Sequence, residues 1–282
     1  MNPIGTALNA VGRLSPTLAA RIAFPLFMRV GPRLPVRADA AATHEAAVRD
    51  TITVNGKRVT TYQWGQGTET VLLVHGWRGR AAQFARLVRE LRASGFTVVS
   101  FDAPANGASG GRRTSILDYL DAIEQLQRKH GSFHTVVGHS MGTLATLVAI
   151  HRGLTVGRLV GISGVAEADN LYDGFRRALR LRPEIAAALP ELFRSRVVRD
   201  DSGVELFSSV RAPLTADIRM LLIHDRGDRM VPVEQSERLA AAHPRAQLIV
   251  TEGLGHGRIL VADETLDAVM EFVTSGERVA SS

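Results

Sequence analysis

Apolar positions along this chain follow two periods. Short runs of aliphatic and β-branched residues fall at 70–74, 96–101, 134–137, 158–163, 218–224 and 247–250. Such runs, bounded by turn residues, predict buried strands. Between them, apolar residues recur every three or four positions, at 81–94, 115–129, 143–150, 233–242 and 258–274. These predict amphipathic helices. In the first, Phe84, Leu87, Val88 and Leu91 share one face, with Arg86, Arg89 and Arg92 outside, and Gly95 follows as a stop signal. Strand and helix in strict alternation predict a doubly wound, mostly parallel sheet. Residues 50–54 and 59–64 flank Asn55-Gly56, a strong hairpin signal, and add an antiparallel opening. The fold class expected is α/β, with eight strands.

Two segments interrupt the alternation. Residues 165–215 read as two or three short helices forming a cap over the strand ends. Residues 1–45 read as a helical arm, with two short helices within 3–29. Ser15 is placed to cap the second of these, with Pro16 at its first position. The α/β core is then 46–164 and 216–282. The arm is read as packing on the body, or as touching a partner or a membrane surface.

Composition narrows the picture. The 282-residue chain has no cysteine, which removes disulfides and thiolate chemistry. No run reaches the 18 apolar residues of a membrane span. Ala38-Asp39-Ala40 resembles a signal cleavage site, but no basic residue precedes Arg13 and Pro25 breaks the apolar stretch before it. A cytoplasmic protein is therefore expected. The net charge is +6, yet all but two of the 34 basic residues, Lys57 and Lys129, are arginine. They are scattered, and aromatic residues are few at 5%. No nucleic-acid platform is expected. Seven arginines of the cap, at 176, 177, 180, 182, 194, 196 and 199, read as a solvated face rather than an attractor for acidic substrate.

Gly-x-Ser-x-Gly occurs twice. Gly138-His139-Ser140-Met141-Gly142 directly joins a strand to a helix, so Ser140 stands at the apex of a sharp turn above the sheet. Gly107-Ala108-Ser109-Gly110-Gly111 lies in a Pro/Gly/Asn-rich loop, and Ser109 reads as a flexible loop serine. A serine nucleophile needs a base and a group to orient that base. Of nine histidines, His256 is best placed, in a glycine-rich loop between the last strand and helix. His75 and His139 stand beside turns and are read as backbone braces. The loop after 218–224 offers Asp225 and Asp228. Asp228 lies further into the loop and is favoured as the orienting acid, and Asp225 as a brace of the turn. Backbone N–H groups of Met141 and Trp77 are candidates for an oxyanion hole. Trp77, Tyr172 and Phe175 are candidates for the substrate wall.

His75-Gly76-Trp77, Asp102-Ala103-Pro104, the Ser140 pentapeptide, Gly227-Asp228-Arg229-Met230-Val231-Pro232 and Gly255-His256 together resemble the α/β-hydrolase superfamily. The set is most similar to its bacterial carboxylesterase, monoacylglycerol-lipase-like and serine-aminopeptidase-like branch. The resemblance spans about residues 50–275. It departs at Ala105-Asn106-Gly107, where Gly-His-Gly is usual, and at Thr143, where a second glycine is usual. It implies a Ser140–Asp228–His256 triad, a small-molecule ester substrate, and neither metal nor organic cofactor. Amide or carbon–carbon hydrolysis, acyl transfer and a non-catalytic binding role use the same scaffold. Oligomeric state is not legible.

Overall fold

The computed structural model describes residues 2–198, 207–214 and 218–275. Parts of the expected cap, Arg199 among them, lie outside the described residues. The chain opens with α1 (Pro3–Leu14), α2 (Pro16–Phe27) and α3 (Ala38–Glu45). An antiparallel hairpin follows, β1 (Val48–Val54) and β2 (Lys57–Trp64). Its turn places Asn55 at φ 46° and Gly56 at φ 72°, the left-handed pair that an Asn-Gly hairpin turn requires.

Alternation then runs through β3 (Thr70–Val74), α4 (Ala85–Ala93), β4 (Thr97–Phe101), α5 (Ile116–His130), β5 (Phe133–His139), α6 (Met141–His151) and β6 (Val156–Ile162). The cap helices are α7 (Asp169–Leu179), α8 (Pro183–Ala187) and α9 (Leu189–Phe193). The chain returns through β7 (Arg219–Asp225), α10 (Glu234–Ala242), β8 (Gln247–Thr251), α11 (Gly255–Arg258) and α12 (Asp263–Thr274).

One eight-stranded sheet has the order β1-β2-β4-β3-β5-β6-β7-β8. Every pairing from β4 to β8 is parallel. The strand order reverses at β3, so β3 and β5 lie side by side with Val74 opposite Gly138. Loops leaving their carboxyl ends meet at that reversal, where ligands bind in open α/β sheets.

Three expectations change. The pattern at 258–274 is not one helix: Ala262 is extended at ψ 136°, which separates α11 and a short 3₁₀ turn from α12. His256 therefore stands in the first turn of a short helix, not in a free loop. Second, α3 was not anticipated. Its Ala40 is buried against Ala82 and Ala85, so the cleavage-like tripeptide is part of the fold. Third, Ser109 is fully buried, not a flexible loop serine. Its hydroxyl donates to the Asp102 carbonyl and accepts the Thr60 N–H at 2.8 Å, fastening the loop to β2.

Arm and cap share a core. Leu8, Ala19, Ala20, Ala23 and Phe24 of α1–α2 join Leu181, Ile185, Leu189 and Leu192 of the cap in the hydrophobic cluster that covers one sheet face. Asn9 stitches the two together, donating to Arg180 O at 2.9 Å and accepting Arg182 N–H at 2.9 Å. A Cβ at Gly5 would fall 1.8 Å from Leu179 O, so only glycine permits this approach.

Candidate active site

Ser140 sits between β5 and α6 at φ 55°, ψ −123°. No L-residue adopts that conformation cheaply, and such strain is on the order of 1–3 kcal/mol. Surrounding contacts enforce it. A Cβ at Gly138 would meet Thr143 Cα at 2.7 Å, and one at Gly142 would meet Val74 O at 2.2 Å. The two flanking glycines let helix, turn and β3 approach one another.

Gly76 brings the next loop in. A Cβ there would lie 2.8 Å from Cβ of Ser140. Trp77 therefore follows Ser140 closely in space. The N–H groups of Trp77 and Met141 donate to no acceptor among the described residues. Met141 also begins α6, where the helix dipole favours negative charge.

His256 is held from two sides. Its Nδ1–H donates to Asp228 Oδ2 at 2.7 Å, leaving Nε2 as the basic ring atom. His139, the neighbour of Ser140, donates from Nε2 to the His256 carbonyl at 3.0 Å across 117 residues. The two imidazoles pack with centroids 4.7 Å apart. Burial, then the neighbouring His256, push His139 down to about 3, so it is neutral at ordinary pH.

Asp228 is buried at the end of a tight loop. Burial alone would raise its carboxyl. Hydrogen bonding toward His224 and His256, and Val231 N–H, outweigh that and hold it well below the usual carboxylate range. Its Oδ1 accepts Met230 N–H at 2.8 Å and Val231 N–H at 3.0 Å. Asp225 instead accepts the N–H groups of Gly227 and Leu254 and the Thr251 hydroxyl, a brace between two loops. His75 is likewise a brace: fully buried and lowered by burial, it accepts Ala103 N–H at 2.9 Å on Nε2 and donates from Nδ1 to Gly76 O at 2.7 Å.

Ser140 and Met141 line a cavity of about 610 Å³. Trp77, Tyr172 and Phe175 line it too, as the sequence suggested. Two further wall residues come from the arm, Phe27 and Met28. Sequence reasoning missed them, because nothing local says where an arm docks. The Phe27 ring lies 5.3 Å from Tyr172 and 5.4 Å from Phe175, closing one aromatic wall from two distant segments. Three arginines, Arg78, Arg177 and Arg229, are exposed at this cavity, and among the described residues no acid lines it. Of the cap arginines, Arg176, Arg182 and Arg194 pair with nearby acids, and Arg196 lies over Phe24. Among the described residues no cluster of side chains suited to a metal ion occurs, and no helix is long and apolar enough to cross a membrane.

A family model described as "Alpha/beta hydrolase family" matches residues 71–271. The chain belongs to the alpha/beta hydrolase family. Its similarities within that family are broad. A 2-hydroxy-6-oxononadienedioate/2-hydroxy-6-oxononatrienedioate hydrolase of Pseudomonas putida is 27% identical, covering 68% of this chain and 82% of that one. A monoacylglycerol lipase of Mycolicibacterium smegmatis is 24% identical, covering 79% and 93%. Among solved structures, a Pyrococcus furiosus esterase superposes with a TM-score of 0.63 at 25% identity, covering 87% of this chain and 96% of that one. The family match begins inside β3, so α1 and α2 lie outside it.

Proposed function

We propose that this hydrolase cleaves carboxylic esters through a serine acyl-enzyme. The observation that carries the reading is a strained, cavity-facing Ser140 whose neighbour His139 bonds the carbonyl of a half-buried His256 that is paired with buried Asp228. In this reading Ser140 Oγ attacks the ester carbonyl carbon as His256 Nε2 takes its proton. No direct hydrogen bond joins Ser140 to His256 among the described residues; such contacts tighten in the substrate complex. Asp228 fixes the ring tautomer and stabilises the imidazolium. The Trp77 and Met141 N–H groups receive the developing oxyanion. Collapse breaks the carbon–oxygen bond, and His256 returns its proton to the leaving alcohol. Water, deprotonated by His256, then releases the acid and frees Ser140. Trp77, Tyr172 and Phe175, with Phe27, take the acyl chain.

A second reading, carbon–carbon hydrolysis, is favoured by the Pseudomonas putida relative, whose name gives it hydrolase activity on an oxononadienedioate. Rates on p-nitrophenyl esters from acetate to palmitate, for wild type and Ser140→Ala, separate the two. Ester turnover that vanishes in Ser140→Ala is the expected result. Retained turnover in that variant would sink the role given to Ser140. Silence on every ester, with Ser140 still labelled by a fluorophosphonate, would favour the second reading.

A further inference from the structure

Large apolar side chains that stay exposed are unevenly placed. Ile4 (48%), Leu14 (91%), Leu18 (50%), Ile22 (49%) and Leu34 (39%) all fall within the first 34 residues. Only Val48, Met230 and Ile249 join them elsewhere among the described residues, and Met230 stands at the cavity. On α2 the division is sharp. Ala19, Ala20, Ala23 and Phe24 face the core, while Leu18, Arg21 and Ile22 face outward. Leu18 and Ile22, one helical turn apart, share that open face, and exposed apolar groups gathered in one region mark an interaction surface.

Through α1 and α2 themselves the charge has one sign. Residues 1–38 contain Arg13, Arg21, Arg29, Arg33 and Arg37, and the first acidic residue is Asp39. Arg13, Arg21 and Arg29 are exposed, and their side chains have no partner among the described residues. The rim arginines 78, 177 and 229 extend the same sign to the cavity. A second copy of this chain would bring these cations face to face, which opposes self-association. An anionic bilayer complements both properties: aliphatic groups enter the headgroup–acyl boundary and arginines meet lipid phosphates.

We infer that the outer face of α1 and α2 docks this protein on an anionic lipid surface. The inference goes beyond ester hydrolysis and stands without it. Its geometry couples to the cavity, because Ile22 precedes the wall residue Phe27 by five residues, about 8 Å of helix. Docking therefore sets one cavity wall beside the lipid.

The test is flotation of full-length Ser140→Ala protein, which leaves lipid esters intact, with two vesicle types. One is phosphatidylcholine alone, and the other phosphatidylcholine with phosphatidylglycerol. Flotation with the mixed vesicles, weakened by salt, is expected. Adding Leu18→Glu with Ile22→Glu should cut the bound fraction about tenfold or more, since two aliphatic anchors are replaced by anions. Thermal melting, and p-nitrophenyl acetate hydrolysis by the same pair of substitutions with Ser140 present, should match the parent and exclude misfolding. A folded parent that floats with neither vesicle overturns the inference, and so does undiminished flotation of the variant. So does a dimer, seen by sedimentation, that these substitutions split without any vesicle binding. Loss of acetate hydrolysis in every form would instead count against the esterase reading and leave the flotation result standing.

Discussion

Ser140 keeps its left-handed conformation only while Gly138 and Gly142 lack side chains. Gly142→Ala drives a Cβ into the Val74 carbonyl, and backbone cannot yield as a flexible side chain does. Thermal unfolding should register a loss of about 1–3 kcal/mol, the range for overpacking. Asp228→Asn keeps the shape but removes the charge that holds the His256 tautomer. On the serine-hydrolase reading kcat should fall about 10⁴-fold, with the melting temperature moved far less. His139 links stability to pH. The unfolded chain protonates it near its ordinary 6.5, whereas the folded protein keeps it neutral down to about 3. Between those values the unfolded state binds the extra proton, so stability falls as the pH drops from about 6.5 toward 3. The loss is about 1.4 kcal/mol per pH unit. Urea unfolding of wild type and His139→Gln at pH 7 and pH 4.5 checks this; a shallower decline in the variant is expected. The positions of Ser140, Asp228 and His256 at strand-to-helix junctions were legible because each junction has its own glycine signature. Ser109 was not. The same pentapeptide spacing describes it, and only β2, more than forty residues earlier, turns it into a buried clasp.

At the scale of elements, periodicity located the strands well because burial on both faces leaves an uninterrupted apolar run. It located α3 poorly. Ala38–Glu45 is rich in alanine with a weak apolar stripe, and its helix is secured by packing on α4 that no local pattern announces. The same limit applies to Asp118. It reads as an ordinary acid near the start of α5, yet it ties the hairpin turn to that helix. Its carboxylate accepts Lys57 Nζ at 2.8 Å, Asn55 Nδ2 at 2.8 Å and Ser115 N–H at 3.0 Å, all while buried. Asp118→Ala leaves those donors without their acceptor and should cost about 2–4 kcal/mol. Chemical denaturation at neutral pH measures it, and β1 amides should exchange with solvent faster in the variant.

For the whole molecule, arm and cap form one body against the sheet. Removing residues 2–29 would uncover Leu181, Ile185 and Leu189, so the truncated chain should be poorly soluble and its cap readily cleaved by protease between 169 and 198. A soluble, protease-resistant truncation would contradict the shared core. Sequence spacing left open whether the arm packs on the body or on a partner, because the cap partners of α1 and α2 come some 145 residues or more later. Only the assembled fold shows that the two interruptions of the βα pattern are halves of one structure.

Phe27 and Met28 come from the arm, outside the strand pairing, while Ser140, Asp228 and His256 all follow strands of the sheet. On the proposed reading, the groups that would react and part of the surface that would select are thus carried by different lengths of chain. Exchanging residues in the arm would reshape what enters the cavity without disturbing strand register or the nucleophile turn. If that reading holds, selectivity can drift while chemistry stays put.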